Sequence, residues 1–187
     1  MPNALLLLAP GFEETEAITV IDLLRRASIE VTVAGLQENQ VTGSHDITIN
    51  TDVYYKEVQE NTFDILILPG GQPGSTHLKN DAIVLDWVRK RFEENRYLAA
   101  ICAAPTVFHA AGITDNLKLT SFPAEKDVFT NAHYSEDRVV IDQNVITSRG
   151  VGTAIDFALT LIEILCGMEQ AEDIGRRILH PYVTREK

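Results

Sequence analysis

The chain has few cysteines, few basic residues and no long apolar runs. Only two cysteines occur in 187 residues, Cys102 and Cys166. Their contexts differ and no ligand-type spacing joins them, so neither a disulfide framework nor a metal site is expected. Sixteen Lys and Arg stand against 27 Asp and Glu, a formal net charge of -11. With no basic stripe to meet phosphates, nucleic acid is a poor partner, whereas small molecules or other proteins suit an acidic surface. The first apolar run, after Met1-Pro-Asn3, is about five residues long with no basic region before it, which argues against a signal segment or membrane span. A cytoplasmic, reducing compartment is therefore expected. Repeats and low-complexity stretches are absent too. What remains, at 45% hydrophobic and 23% charged, reads as one ordinary globular domain over residues 1–187.

What is present is an alternation of apolar strands and amphipathic helices. Ala4–Ala9 and Phe63–Leu68 are continuous apolar runs of the kind that both-face-covered parallel strands show. Phe12–Ser28 follows the first, with Ala17, Val20, Ile21, Leu24 and Ala27 at helical spacing. Its acids Glu13, Glu14 and Glu16 fall where the helix dipole favours them. Val31–Ala34 is the next strand. Gln37–Asn61 holds only weak strand signals and reads as an insertion at a sheet edge. Asn80–Asn95 is a helix expected to turn Ile83, Val84, Trp87, Val88 and Phe92 inward. Short strands are expected near Leu117–Thr120, Arg138–Ile141 and Asn144–Ser148, and Phe122–Phe129 as a short helix opened by Pro123. Ala154–Cys166 is a long helix with Ile155, Ala158, Leu159, Ile162 and Leu165 on its apolar side, and Glu169–Leu179 is the last. The pattern predicts an α/β fold, a doubly wound, mostly parallel sheet sandwiched by helices.

In such sheets sites form at the carboxyl ends of the strands. Three features fall there: Pro10-Gly11 with its neighbouring acids, Gly70-Gly71, and Cys102. The two glycines allow a close backbone approach with N–H groups turned toward a ligand, although a tight turn alone would also explain them. Leu98-Ala-Ala-Ile-Cys-Ala-Ala-Pro-Thr106 runs from strand to helix start, so Cys102 sits on a sharp turn of nucleophile-elbow type. The helix start favours thiolate over thiol. A buried, inert cysteine is the competing reading of that stretch. A Cys102 both buried and titrating above the free-thiol value would rule out every active role.

Ala100-Ile-Cys-Ala-Ala-Pro105, Leu68-Pro-Gly-Gly71, Gly11-Phe-Glu-Glu-Thr-Glu16, Lys126-Asp127 and Thr147-Ser-Arg-Gly-Val-Gly-Thr153 resemble the ThiJ/PfpI family, that of the parkinsonism-associated deglycase. Ile18–Leu24 and Ala154–Phe157 look most like its bacterial YajL-type branch. The resemblance implies a flavodoxin-like fold, close to that of class I glutamine amidotransferases, and a homodimer that uses the first helix. It implies Cys102 as the reactive nucleophile and Glu16 as a protonated carboxylic acid that hydrogen-bonds it. Gly71 and Ala103, with Gly70 adjoining, match positions that face the site and hold an oxyanion or substrate. No cofactor and no metal are implied. Three departures stand out. Phe122 occupies the position where many members carry histidine, which removes a Cys-His pair. His45 replaces an arginine that lines the site across the dimer. Gly43 and Asn50 replace further family cysteines. Of the other histidines, His109 is expected to point away from the site, and His133 lies in a plausible site loop.

Two functions follow as expectations. In the first, Cys102 attacks methylglyoxal, glyoxal or early glycation adducts on protein or nucleotide, and Glu16 moves the proton that converts aldehyde to hydroxy acid. In the second, Cys102 is a redox sensor oxidised to sulfinate, on a stress protein or chaperone that binds unfolded clients. An older thiazole-biosynthesis label on such proteins carries no activity. Proteolysis needs a base beside the nucleophile, and Phe122 argues against it.

Overall fold

The computed structural model describes residues 1–37 and 39–181. In chain order the elements are β1 (Asn3–Leu8), α1 (Glu14–Arg26), β2 (Glu30–Gly35), β3 (Gln40–Thr42), β4 (Thr48–Asn50), β5 (Val53–Tyr54) and β6 (Ile65–Leu68). Then follow α2 (Gly74–Lys79), α3 (Ala82–Glu93), β7 (Tyr97–Ile101), α4 (Pro105–Ala110), β8 (Lys118–Leu119) and β9 (His133–Tyr134). The chain closes with β10 (Val139–Asp142), β11 (Val145–Ser148), α5 (Ala154–Cys166) and α6 (Met168–Arg177). A 3₁₀ turn over Pro123–Val128 takes the place of the short helix expected there.

Seven strands form one sheet in the order β10-β11-β7-β6-β1-β2-β5. All neighbours are parallel except β10 and β11. Residues alternate across the sheet, so an unbroken apolar run buries both of its faces. Leu6, Leu8, Ile67 and Ile101 pack with α1 and α5, whereas Leu5, Leu7, Leu68 and Ala100 pack with α3 and α4. The predicted doubly wound sandwich is therefore the observed one. The segment expected to be an edge insertion supplies the β3–β4 hairpin and the edge strand β5. No helix among the described residues is long and apolar enough to cross a membrane.

Two expectations about side chains need correction. Ile83 and Ile155 are exposed, not inward. Each lies at the start of its helix, where the apolar stripe has not yet turned onto the sheet. Arg91, in the same helix α3 as Ile83, is fully buried. Its guanidinium donates to the carbonyls of Glu60, Phe63 and Tyr97, pinning the end of α3 to the approaches of β6 and β7. The terminal segment expected from Pro181 lies, beyond that residue, outside the described ones.

Candidate active site

The carboxyl ends of β1, β6, β7 and β11 meet at one place. Register carries them there: Leu68 pairs with Ala100, and Ile101 with Ser148. Cys102 is the first residue past β7. It adopts φ 65°, a left-handed conformation that costs a non-glycine residue about 1 kcal/mol. Neighbours hold it there. Its N–H donates to the Ser148 carbonyl at 2.9 Å, and its carbonyl accepts the Phe122 N–H at 2.8 Å. Pro105 at the start of α4 then carries the chain away. The elbow read from the sequence is thus present, and its sulfur is partly exposed.

Glu16 reaches the same place from the first turn of α1 and is fully buried. Its Oε2 accepts the Gly70 N–H at 2.9 Å. Its Oε1 is buried without a well-aligned hydrogen-bond partner among the described residues, and the carboxyl interacts with the Cys102 thiol. Burial pushes the Glu16 carboxyl up to about 7, with the Glu13 charge adding to the rise and the Gly70 and Cys102 contacts opposing it. This carboxyl therefore holds its proton well beyond the ordinary carboxylate range.

The sulfur departs from expectation. Burial first, and the Glu16 charge second, push the Cys102 thiol up to about 12. The backbone N–H groups of Ala103 and Gly71 pull the other way and do not prevail. The short α4 cannot offset a buried carboxylate in contact with the sulfur. Yet the two groups share a charge. The pair loses its first proton near 7 and its second only near 12, because two anions side by side repel. Between those values the carboxyl is ionised and the thiol keeps the remaining proton. The reactive tautomer holds it on Glu16 instead and leaves the charge on sulfur.

The glycines divide the remaining work. Gly70 must lack a Cβ, since one would stand 2.6 Å from Cys102 Cβ and 2.7 Å from Glu16 Oε2. Its N–H is committed to Glu16, so it positions the acid and leaves oxyanion binding to others. Gly71, at φ 94°, and Ala103 turn their N–H groups toward the sulfur. His109 points away, as expected: its ring packs on Phe129 and its Nδ1 meets Thr114 Oγ1 at 3.1 Å. His133 belongs to β9, paired with Lys118.

All three acids of the first α1 turn have partners that the dipole reading overlooked. Glu13 caps the helix by accepting the Glu16 N–H at 2.7 Å. Glu14 turns to the β3–β4 hairpin and accepts the His45 N–H at 2.6 Å and His45 Nδ1 at 3.0 Å. Burial would raise Glu14, but these bonds together hold it below its ordinary value. Donor atoms of Glu13, Glu14 and His45 lie within 4.8 Å of one another, but both Glu14 oxygens are occupied by the hairpin. The sequence reading also passed over Gly150, although Ser148 pairs with Ile101 and so brings it beside Cys102.

A model of the DJ-1/PfpI family matches residues 2–164. Protein dj-1beta of Drosophila melanogaster is 42% identical over 183 residues, covering 96% of this chain and 98% of that one. Its crystal structure superposes with a TM-score of 0.93 at 42% identity over 97% of this chain and 99% of the other. A Caenorhabditis elegans protein named glutathione-independent glyoxalase DJR-1.2 is 38% identical over 175 residues, covering 92% of this chain and 93% of its own.

Proposed function

The chain belongs to the DJ-1/PfpI family, and from that membership and its site we propose a cofactor-independent enzyme that converts reactive 2-oxoaldehydes to hydroxy acids through Cys102 and Glu16. One observation carries the reading: a partly exposed cysteine on a strained turn lies against a buried carboxyl pushed up to about 7, while two backbone N–H groups face its sulfur. The glyoxalase name of the nematode relative supports the substrate class. Methylglyoxal, glyoxal and early glycation adducts on protein or nucleotide are the substrates proposed.

The thiolate adds to the aldehyde carbon. A C–S bond forms, the carbonyl π pair moves to oxygen, and the Glu16 proton neutralises that oxygen beside the Gly71 and Ala103 N–H groups. Glu16, now ionised, takes the hydrogen from the former aldehyde carbon and returns a proton to the adjacent carbon, while the hydroxyl proton on the first carbon passes to the oxygen of the second. The first carbon is oxidised and the second reduced by the same electron pair. A thioester results, and water cleaves it to hydroxy acid and thiol. The sum is oxoaldehyde plus water, with no external oxidant. A single carboxyl does all the proton work, because Phe122 supplies none.

A second reading uses the same atoms. The Gly71 and Ala103 N–H groups and the proton on Glu16 also suit a sulfinate, formed from Cys102 as two peroxide equivalents are reduced to water. That is the sensor and chaperone alternative, acting in the cytoplasm as a homodimer with unfolded proteins as clients. Incubation with methylglyoxal separates the two. Lactate seen by NMR with wild type, and absent with a folded Cys102→Ser, supports the enzyme. No lactate from wild type, with Cys102 oxidised stoichiometrically by peroxide, supports the sensor.

A further inference from the structure

One side of the site has no role in the chemistry above. A methyl group placed on Gly150 would stand 3.7 Å from Phe122 Cδ2, 3.8 Å from Cys102 Sγ and 3.9 Å from Glu16 Oε1. These are ordinary contact distances. There is therefore room here for at least a methyl group, in contact with the nucleophile, the acid and a phenyl ring at once. Gly150 itself has φ 160°, extended backbone that any residue adopts, so conformation does not call for glycine here. The consequence of the missing Cβ is room beside the sulfur.

Phe122 borders that room with 46% of its surface exposed. It is held as a wall. Its N–H is bonded to the Cys102 carbonyl, its own carbonyl accepts the Ser121 hydroxyl at 3.0 Å, and Pro123 fixes the chain that follows. Gly150 is held from the other side, where Thr153 Oγ1 donates to its carbonyl at 2.8 Å and itself meets Ser148 Oγ at 2.7 Å. Val151, next along, is 47% exposed. Two anchored loops thus flank the sulfur, and one of them presents the exposed Phe122 ring beside it. Apolar surface left in water is a favourable place for an apolar group to bind.

We infer that Phe122 and the space at Gly150 form a subsite for the substituent of the aldehyde, one that favours aryl or bulky alkyl 2-oxoaldehydes over glyoxal and methylglyoxal. This rests on the aldehyde reading above and narrows its substrate class. With the aldehyde oxygen directed to the Gly71 and Ala103 N–H groups, the substituent has this space to enter and the ring to lie against. The position filled by histidine in many relatives acts here through contact area, not through a proton.

The test compares phenylglyoxal with methylglyoxal as substrates, and N-benzyliodoacetamide with iodoacetamide as alkylators of Cys102 normalised to glutathione. Wild type should favour the aromatic member of each pair. Phe122→Ala should lower both preference ratios about tenfold, the effect of losing one aromatic contact face. Phe122→Tyr should retain them, since the ring remains. Gly150→Ala should lower them while its thermal midpoint stays near wild type, because the added methyl meets nothing closer than ordinary contact. Ratios that stay within twofold in Phe122→Ala overturn the subsite while leaving aldehyde turnover standing. If no oxoaldehyde is turned over by wild type and the alkylation ratio still collapses in Phe122→Ala, the turnover reading fails and the subsite stands.

Discussion

At the scale of single residues, the coupled ionisation of Glu16 and Cys102 decides how the site behaves with pH. The Glu16 carboxyl rises from 4.5 to about 7 on folding. The folded state therefore holds a proton that the unfolded chain has released, and stability falls as pH rises from the ordinary carboxylate range through about 7. The loss amounts to about 3 kcal/mol. Glu16→Gln keeps an oxygen for the Gly70 N–H and cannot ionise, so urea unfolding should show this slope in wild type and a flat profile in the variant. Reactivity should move in the opposite sense. Iodoacetamide should alkylate wild-type Cys102 with an apparent pKa near 7, the first ionisation of the pair. In Glu16→Gln the burial that raises the thiol remains, no coupled acid is left, and the apparent pKa should move above the free-thiol value. A variant that still reacts with a midpoint near 7 would show that the carboxyl has no part in making the thiolate.

At the scale of elements, the strands were the most legible part of the chain. Runs such as Leu5-Leu-Leu-Leu8 have no other comfortable place than a sheet covered on both faces, and the helices between them follow from spacing. The elbow was legible because Pro105 can only start a helix. Glu14 was not, since its partners lie in a hairpin some thirty residues away that has no strong local pattern. Gly150 was hidden for the same reason: only the pairing of β11 with β7 brings it to the sulfur. The burial of Arg91 has no local signal, because nothing near it in sequence announces the three carbonyls that receive its guanidinium. Those carbonyls give a test. Arg91→Met keeps much of the volume and leaves the Glu60, Phe63 and Tyr97 acceptors without their donor, so urea unfolding should show a loss of about 3 kcal/mol. A loss below about 1 kcal/mol would mean that water replaces the guanidinium at this joint.

At the scale of the whole molecule, the outer face of α1 joins the hairpin in an apolar hollow lined by Ile18, Ile21, Val33 and Ile49, with Asp22, Arg25 and Asp52 around it. Ile18 is exposed at its centre. This is the face through which the proposed homodimer would form, and the neighbouring hairpin carries His45. Sedimentation should report a dimer for wild type, and Ile18→Glu should shift it toward monomer by placing a charge in the contact. A wild-type monomer at micromolar concentration would remove the dimer from the account. Dimerisation would also bear on the active site indirectly, since the hairpin is tied to Glu14, two residues from Glu16.

The left-handed turn at Cys102 has a consequence for anyone who engineers this protein. Glycine would occupy that turn without strain. A screen that rewards heat resistance alone would therefore replace the reactive residue early and report success. Selections on this scaffold need activity scored together with survival, or they will enrich inert proteins that fold better than their parent.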